Sequence, residues 1–143
     1  MQFMETEEQS MIREMVRGFA EEVLAPTCLE RDRNALPPLD EWKKFCEYGL
    51  QGITIPEKYG GMPVDDISEA IIIEELARVD PSFAVMYCVH VGLCAKTIAL
   101  HGNEKQKEEP PVLRGFLCLA MESNAFRSYE QSLTNGSVLH RGR

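Results

Sequence analysis

A long apolar run, residues 83–100, is the feature that most limits how this chain can fold. Asp80 and Pro81 precede it, a pair that caps and starts helices, and a glycine-containing turn follows it. A helix that is apolar nearly all round is either surrounded by other elements or placed in a membrane. His90 and Lys96 interrupt the run, and a membrane span needs about twenty apolar residues. The sequence therefore predicts a core helix in a helical bundle, with no membrane span.

The first helix is marked by a capping box, the reciprocal pairing of a hydroxyl residue with a Glu or Gln three residues later. Thr6 and Gln9 have this spacing. Apolar residues then recur every three or four positions until Pro26 ends the run, which predicts a helix over residues 5–25.

Similar patterns predict the remaining helices, at residues 39–48, 66–79, 81–101 and, as a short polar helix, 103–109. Asp66 is expected to cap the helix over 66–79, and Glu74 and Arg78 have the spacing of an ion pair one turn apart. Residues 27–38 are polar and end in prolines, which predicts a loop.

The last part of the chain differs from the rest. Residues 112–121 have the composition of a strand, and residues 126–143 are polar without a sustained period. The predicted fold is therefore all-α: a bundle of four main helices plus one short helix, followed by a short strand-like stump and an irregular tail.

Charge and cysteine content exclude several classes of protein. The net charge of −8 and the pI near 4.9 argue against binding to nucleic acid, which requires a basic surface. The five cysteines contain no C-x-x-C pair, so no metal site is predicted, and a reducing compartment is expected. The acidic N-terminus has no basic-then-apolar leader, so no targeting segment is expected.

No catalytic residue can be assigned from chemistry alone. Glu74 and Glu75 are adjacent on a helix and point about 100° apart, so we expect a solvated face with one salt bridge instead of paired catalytic carboxylates. His90 could be a ligand or a base, but a lone histidine on an apolar helix is more often a hydrogen-bonded core residue.

The order of motifs does resemble a known family. The segments GLQGITIPEKYGG, EELARVDPS and HGNEKQK, in that order and spacing, resemble the amino-terminal helical domain of the acyl-CoA dehydrogenases over residues 3–109. The resemblance implies that residues 1–110 form this domain, residues 111–125 a degenerate start of the family's middle β domain, and residues 126–143 an unassigned tail.

The resemblance also implies a chemistry. Such enzymes use FAD and a glutamate base to remove two hydrogens from an acyl-CoA, and an electron-transferring flavoprotein reoxidises the flavin. By position, Leu93, Cys94, Ala95 and Ile98 correspond to residues near the acyl tail. The segment AMESNAFRS approaches the family's flavin motif, so Met121, Glu122 and Ser123 are the candidate FAD contacts, although acid and hydroxyl are reversed.

Three functions remain open from the sequence. The first is a fragment or short variant of an FAD-dependent acyl-CoA dehydrogenase, inactive alone because the catalytic base and most of the flavin site are missing. The second is a non-catalytic helical module that binds full-length dehydrogenase subunits. The third is a small protein that holds acyl chains without chemistry. The family resemblance implies the cytoplasm or the mitochondrial matrix.

Overall fold

The computed structural model describes residues 4–108, and this part of the chain contains helices and turns without a strand. The all-α prediction is confirmed for these residues. The strand expected at 112–121 and the tail at 126–143 lie outside the described residues, as do Met121, Glu122 and Ser123.

The first helix begins where the capping box predicts. The Thr6 N–H donates to Gln9 Oε1 over 3.0 Å, and the Gln9 N–H donates to Thr6 Oγ1 over 3.2 Å. Helix α1 then covers Glu7–Phe19 and continues as a π-helical turn, Ala20–Leu24.

The remaining elements follow the predicted order with one addition. They are α2 (Cys28–Asn34), α3 (Leu39–Cys46), 3₁₀ turns at Leu50–Gly52 and Glu57–Tyr59, α4 (Asp66–Val79), α5 (Pro81–Cys88), a π-helical segment (Val89–Ala95), α6 (Lys96–His101) and α7 (Glu104–Glu108). Helices α5 and α6 and the π-helical segment between them form one continuous stretch, Pro81–His101, called here the apolar helix.

Helix α2 corrects the prediction of a loop over residues 27–38. It is not held by an apolar stripe: Leu29 is exposed, and the residue that α2 buries is Arg31, paired with Glu41 and Asp80. A search for apolar periodicity cannot find a helix whose inward side chain is a cation. The helix ends at Ala35 in the left-handed conformation, with φ 51°.

Aspartate side chains cap the N-termini of α5 and α4. Asp80 caps α5, because its carboxylate accepts the Phe83 N–H over 3.0 Å, and this prediction is confirmed. The cap of α4 is Asp65 and not Asp66: Asp65 Oδ1 accepts the Ser68 N–H over 2.8 Å. Two adjacent aspartates offer the same capping chemistry, so the sequence alone could not separate them.

An aromatic cluster forms the centre of the core. Phe19 lies edge-on to Phe45 with ring centroids 5.0 Å apart, and Phe45 contacts Phe83 and Tyr87 in the same manner. Trp42 closes the cluster on the side of the apolar helix. Helices α1, α4 and α5 pack side by side around it, which places the apolar helix at the edge of the described bundle.

This position corrects the expectation that the apolar helix is surrounded on all sides. Val85, Leu93 and Leu100 are 63%, 67% and 66% exposed, whereas Tyr87, His90 and Val91 are fully buried. Only one side of the helix has partners within residues 4–108, because α4 and the loop after α3 pack against that side alone.

Candidate functional site

The rotation of the apolar helix is fixed by side-chain hydrogen bonds to the loop over residues 49–62, called here the seam loop. Tyr87 Oη donates to the Leu50 carbonyl over 3.2 Å, and Thr54 Oγ1 donates to the Val91 carbonyl over 3.3 Å. Between them, His90 Nε2 lies 3.2 Å from the carbonyl oxygen of Gln51. These contacts decide which side of the helix is buried and which remains open.

The open side is a row of aliphatic residues, called here the outward face: Val85, Val89, Leu93 and Leu100. Val85, Val89 and Leu93 are four residues apart, the spacing that aligns side chains on one helix face. Val89 is half-buried and the other three are mostly exposed. A row of exposed aliphatic side chains is a typical surface for an apolar ligand or for another domain.

The structure divides the four predicted acyl-tail residues between two sides of the helix. Leu93 belongs to the outward face, and Cys94 is a half-buried free thiol beside it. Ala95, 1% exposed, packs with Ile55, and Ile98 joins that small cluster from its edge. Leu93 is thus available to a ligand in this domain, whereas Ala95 holds the seam loop.

Val85, Val89 and Leu100 are the members of the outward face that the sequence analysis did not name, and the first two share its spacing of four residues. The apolar run carries no polar side to mark its orientation, so periodicity could not separate inward from outward residues. The signal that could have found Val85 and Val89 is their spacing of four residues from Leu93, once that residue was assigned.

A cavity of about 470 Å³ lies under the seam loop. Cys46, Gln51, Ile55, Tyr59 and Met62 line it, together with glycines of the loop. Gly61 is required there because a Cβ atom would stand 2.0 Å from the Ile55 carbonyl oxygen. Ile55 connects this cavity to the cluster around Ala95, so the loop and the apolar helix form one continuous structure.

Burial controls the titration of the polar groups in this region. It lowers the pKa of His90 below its ordinary value, an effect that the hydrogen bond to the Gln51 carbonyl only partly offsets. Burial also raises the pKa of Tyr87 and of Cys88. The side of the apolar helix that faces the protein is therefore uncharged at neutral pH.

A second polar cluster corrects the expectation for Glu74 and Glu75. Glu75 is buried, and its carboxylate accepts hydrogen bonds from Arg13 over 2.6 Å, from Arg17 over 2.9 and 3.0 Å, and from Arg78 over 3.2 Å. Glu74 pairs with Arg13, so the expected Glu74–Arg78 pair is not formed.

The cluster lies between α1 and α4 and holds those helices together. The hydrogen bond from Arg17, opposed by burial and aided by Arg13 and Arg78, lowers the pKa of Glu75 to about 2. A carboxylate neutralised by three guanidinium groups is a structural anion and not a general base.

The described residues do not supply a metal site, since residues 4–108 contain no group of three or more potential His, Cys, Asp or Glu ligands. One helix in this part of the chain, Pro81–His101, is long and apolar enough to cross a membrane, with a mean hydropathy of 1.7, and a third of it is buried. That is weak evidence for a span, because core helices meet the same criteria.

The cavities of residues 4–108 do not by themselves identify a flavin site. Two surface grooves in this part of the chain carry charges of both signs, Glu5, Glu74 and Arg13 in one and Glu30, Asp40, Glu41, Arg31 and Lys43 in the other. The cavity under the seam loop has no lysine or arginine in its lining to pair with a pyrophosphate. The candidate flavin contacts predicted from the sequence lie outside the described residues.

Comparison with known proteins gives one consistent result. The family described as acyl-CoA dehydrogenase, N-terminal domain, matches residues 6–115. A short-chain-specific acyl-CoA dehydrogenase of Clostridium acetobutylicum is 39% identical over 109 residues, which is 76% of this chain and 29% of that protein. The mitochondrial isovaleryl-CoA dehydrogenase of Bos taurus is 37% identical over 113 residues, 76% of this chain and 26% of that protein.

Solved structures agree with these relatives. Butyryl-CoA dehydrogenase from Megasphaera elsdenii superposes with a TM-score of 0.72 at 33% identity, over 81% of this chain and 32% of that one. A structure described as the electron transferring flavoprotein of Acidaminococcus fermentans gives a TM-score of 0.74 at 40% identity, over 80% and 31%. An acyl-CoA dehydrogenase of Bacillus anthracis complexed with FAD gives 0.70 at 30% identity, over 78% and 20%.

Proposed function

The chain belongs to the acyl-CoA dehydrogenase family through its N-terminal domain, and from that premise we propose that its outward face forms one wall of an acyl-chain pocket. The observation that carries this proposal is the row of exposed Val85, half-buried Val89 and exposed Leu93 on a helix whose opposite side is packed. An acyl tail is a flexible hydrocarbon, and a row of aliphatic side chains is the surface that favours its burial.

The other half of such a pocket comes from a partner surface. The chain spans about 29% of the length of its Clostridium relative, so the activity of a whole dehydrogenase is proposed and not attributed to residues 4–108. Closing a second domain over the outward face would remove Val85 and Leu93 from water, at about 25 cal/mol per Å² of apolar area. The same closure would exclude water from the tail of the substrate.

The proposed role of this domain is to bind the acyl chain and to shape one wall of its pocket. When bound to the whole enzyme, FAD would supply the hydride-accepting chemistry, and Met121, Glu122 and Ser123, the candidate contacts that would hold it, lie outside the described residues. The apolar helix has no Asp or Glu in its sequence, so it offers no carboxylate to remove the α proton. What the helix supplies is a dry aliphatic wall held in a fixed orientation by the seam loop.

The ligand, the protein partners and the cellular location are also proposals. Acyl-CoA is the proposed ligand, and an electron-transferring flavoprotein is the proposed redox partner of the assembled enzyme. Association with full-length dehydrogenase subunits is the second candidate function, favoured by the same exposed face, which could pack on the complementary domains of another chain. The cytoplasm or the mitochondrial matrix is the proposed location.

The deciding experiment compares the chain alone with a chimera. In the chimera this chain replaces the aligned part of the Clostridium acetobutylicum dehydrogenase. We expect the chimera to bind FAD and oxidise a short acyl-CoA with an artificial electron acceptor, and the chain alone to do neither. A flavin absorption band with turnover from the chain alone would contradict the proposal that flavin binding and catalysis depend on the rest of the enzyme. A folded, flavin-loaded chimera without acyl-CoA binding would contradict the pocket.

The second candidate has its own measurement. The chain is co-expressed with a tagged full-length relative and the tagged protein is purified. Stable co-purification that is lost in Leu93→Lys but kept in Leu36→Lys would favour the interaction module, because Leu36 is exposed elsewhere on the domain. Equal recovery of both variants would argue against it.

A further inference from the structure

Three buried polar atoms, one each on α3, the seam loop and the apolar helix, have no hydrogen-bond partner among the described residues. They are Trp42 Nε1, Gln51 Oε1 and His90 Nδ1. Trp42 and His90 are fully buried. A buried polar group without a partner costs about 1–3 kcal/mol, so each of the three requires an explanation.

Two contacts place these atoms in one region. The Trp42 and His90 rings meet edge to face with centroids 5.1 Å apart. His90 Nε2 also lies 3.2 Å from the Gln51 carbonyl, which brings the Gln51 residue to the same ring. The indole N–H and Nδ1 nevertheless do not bond to each other.

The donors and acceptors in this region are complementary to water. A carbonyl oxygen only accepts, so His90 Nε2 must carry the hydrogen that faces Gln51. Nδ1 of the neutral ring is then an acceptor, in agreement with the lowered pKa of His90. Gln51 Oε1 is a second acceptor and the Trp42 N–H is the single donor. A water molecule can donate both of its hydrogens and accept up to two hydrogen bonds, and buried waters typically make about three hydrogen bonds in all.

We propose that one water molecule is bound in this seam, where it accepts the Trp42 N–H and donates its hydrogens to His90 Nδ1 and Gln51 Oε1. The water joins α3, the seam loop and the apolar helix at one point. It adds to the direct bonds of Tyr87 and Thr54 that fix the rotation of the helix. The site stands independently of the acyl pocket, since it faces the opposite side of the helix from Leu93.

Nuclear magnetic resonance of the labelled full chain tests the proposal without any substitution. Trp42 is the only tryptophan, so its indole proton gives a single signal. We expect a water-to-indole cross-peak with NOE and ROE of opposite sign, the signature of a long-lived bound water and not of exchange. The His90 ring should carry its hydrogen on Nε2. A missing cross-peak, or a scalar coupling between Trp42 Nε1 and His90 Nδ1 that reveals a direct bond, would overturn the proposal.

Paired substitutions test the shared water by a second route. Trp42→Phe removes the donor and Gln51→Met removes one acceptor with little change in volume. Each substitution is expected to raise the equilibrium constant of unfolding by some factor. Because both would disrupt the same water, the factor for the double variant should be smaller than the product of the two single factors by about threefold or more. Trp42→Phe combined with Thr54→Val is the matched control, since Thr54 bonds the Val91 carbonyl in the same seam. For this control pair, the factor for the double variant should equal the product of the two single factors within about twofold. If the effects of the Trp42 and Gln51 substitutions multiply in the same way, the shared water is rejected.

Discussion

Arg31 on α2 and Asp80 at the start of α5 form a buried ion pair that connects parts of the chain far apart in sequence. Arg31 also bonds Glu41 on α3 over 2.7 Å, so one guanidinium joins three helices. Asp80 accepts hydrogen bonds from Ser82 and the Phe83 N–H. Although burial itself raises its pKa, these bonds and Arg31 keep the pKa of Asp80 below its ordinary value.

The first prediction concerns this pair. Arg31→Met leaves two carboxylates without their cation in a buried setting, so we expect a loss of about 3–5 kcal/mol in the free energy of unfolding. Urea unfolding measures the loss. Arg33→Met on the same helix is the matched control, because Arg33 is exposed, and it should change stability by less than about 0.5 kcal/mol. Equal effects of the two substitutions would mean that Arg31 does not hold α2 in place.

The same pair shows where sequence reasoning stops. Capping boxes and proline positions are local signals. They placed α4, the apolar helix, and α1 together with its π-helical turn within two residues of their observed ends. Helix α2 depends on Arg31 meeting Asp80, a contact made only when the chain has folded. A cation inside a helix looks polar and therefore predicts a loop. Tertiary pairing, not propensity, decides this element.

The second prediction uses the pH dependence of Glu75. Its pKa falls to about 2 in the folded protein, mainly through Arg17, from an ordinary value of 4.5. A lowered folded pKa adds stability that is complete above pH 4.5 and is lost as the pH falls toward 2. The difference is worth about 3 kcal/mol, at about 1.4 kcal/mol per pH unit. Unfolding measured across this window should show that loss.

The control for this prediction is the neighbouring acid. Glu75→Gln should remove the Glu75 part of the pH dependence between pH 4.5 and 2, and it should lower stability at pH 7 because three arginines lose their anion. Glu74→Gln is the matched substitution: it removes a carboxylate that is 66% exposed, so it should cost much less stability at pH 7 than Glu75→Gln. A Glu75→Gln profile that still falls as steeply as that of the unmodified chain would refute the assignment.

The third prediction separates the two sides of the apolar helix. Val91 is fully buried, so Val91→Asp places an uncompensated charge in the core and should abolish cooperative thermal unfolding. Val85 is 63% exposed, so Val85→Asp should keep a cooperative transition with stability within about 1 kcal/mol of the unmodified chain. Circular dichroism melts distinguish these outcomes. Val89 of the same helix is only half-buried, so a substitution there would discriminate less well.

The sequence predicts only part of the candidate site, because it does not show which side of the apolar helix is packed. The family resemblance predicts that Leu93 lies near an acyl tail, and the structure places its side chain on the outward face. Its contact with an acyl chain stays a prediction. Ala95 could not be recognised as a support for Ile55, because in a helix that is apolar all round the pattern does not show which side is packed. The orientation comes from Tyr87 and His90, which bond carbonyls of the seam loop, and from Thr54 of that loop, which donates to the Val91 carbonyl. These pairs are about forty residues apart in sequence.

The last prediction tests the acyl wall in the chimera with the Clostridium acetobutylicum dehydrogenase. Leu93→Phe enlarges a side chain on the outward face, so the preferred acyl-CoA should become shorter. Leu93→Ala removes volume there and should extend the preference to longer chains. One methylene in an apolar pocket is worth about 1–3 kcal/mol, so kcat/KM ratios between neighbouring chain lengths should change about tenfold or more. Leu36→Phe and Leu36→Ala are the matched controls, because Leu36 is also exposed but lies elsewhere on the domain, and they should leave the chain-length preference unchanged. If both Leu93 variants keep the parental preference while retaining flavin and turnover, the outward face does not contact the acyl chain.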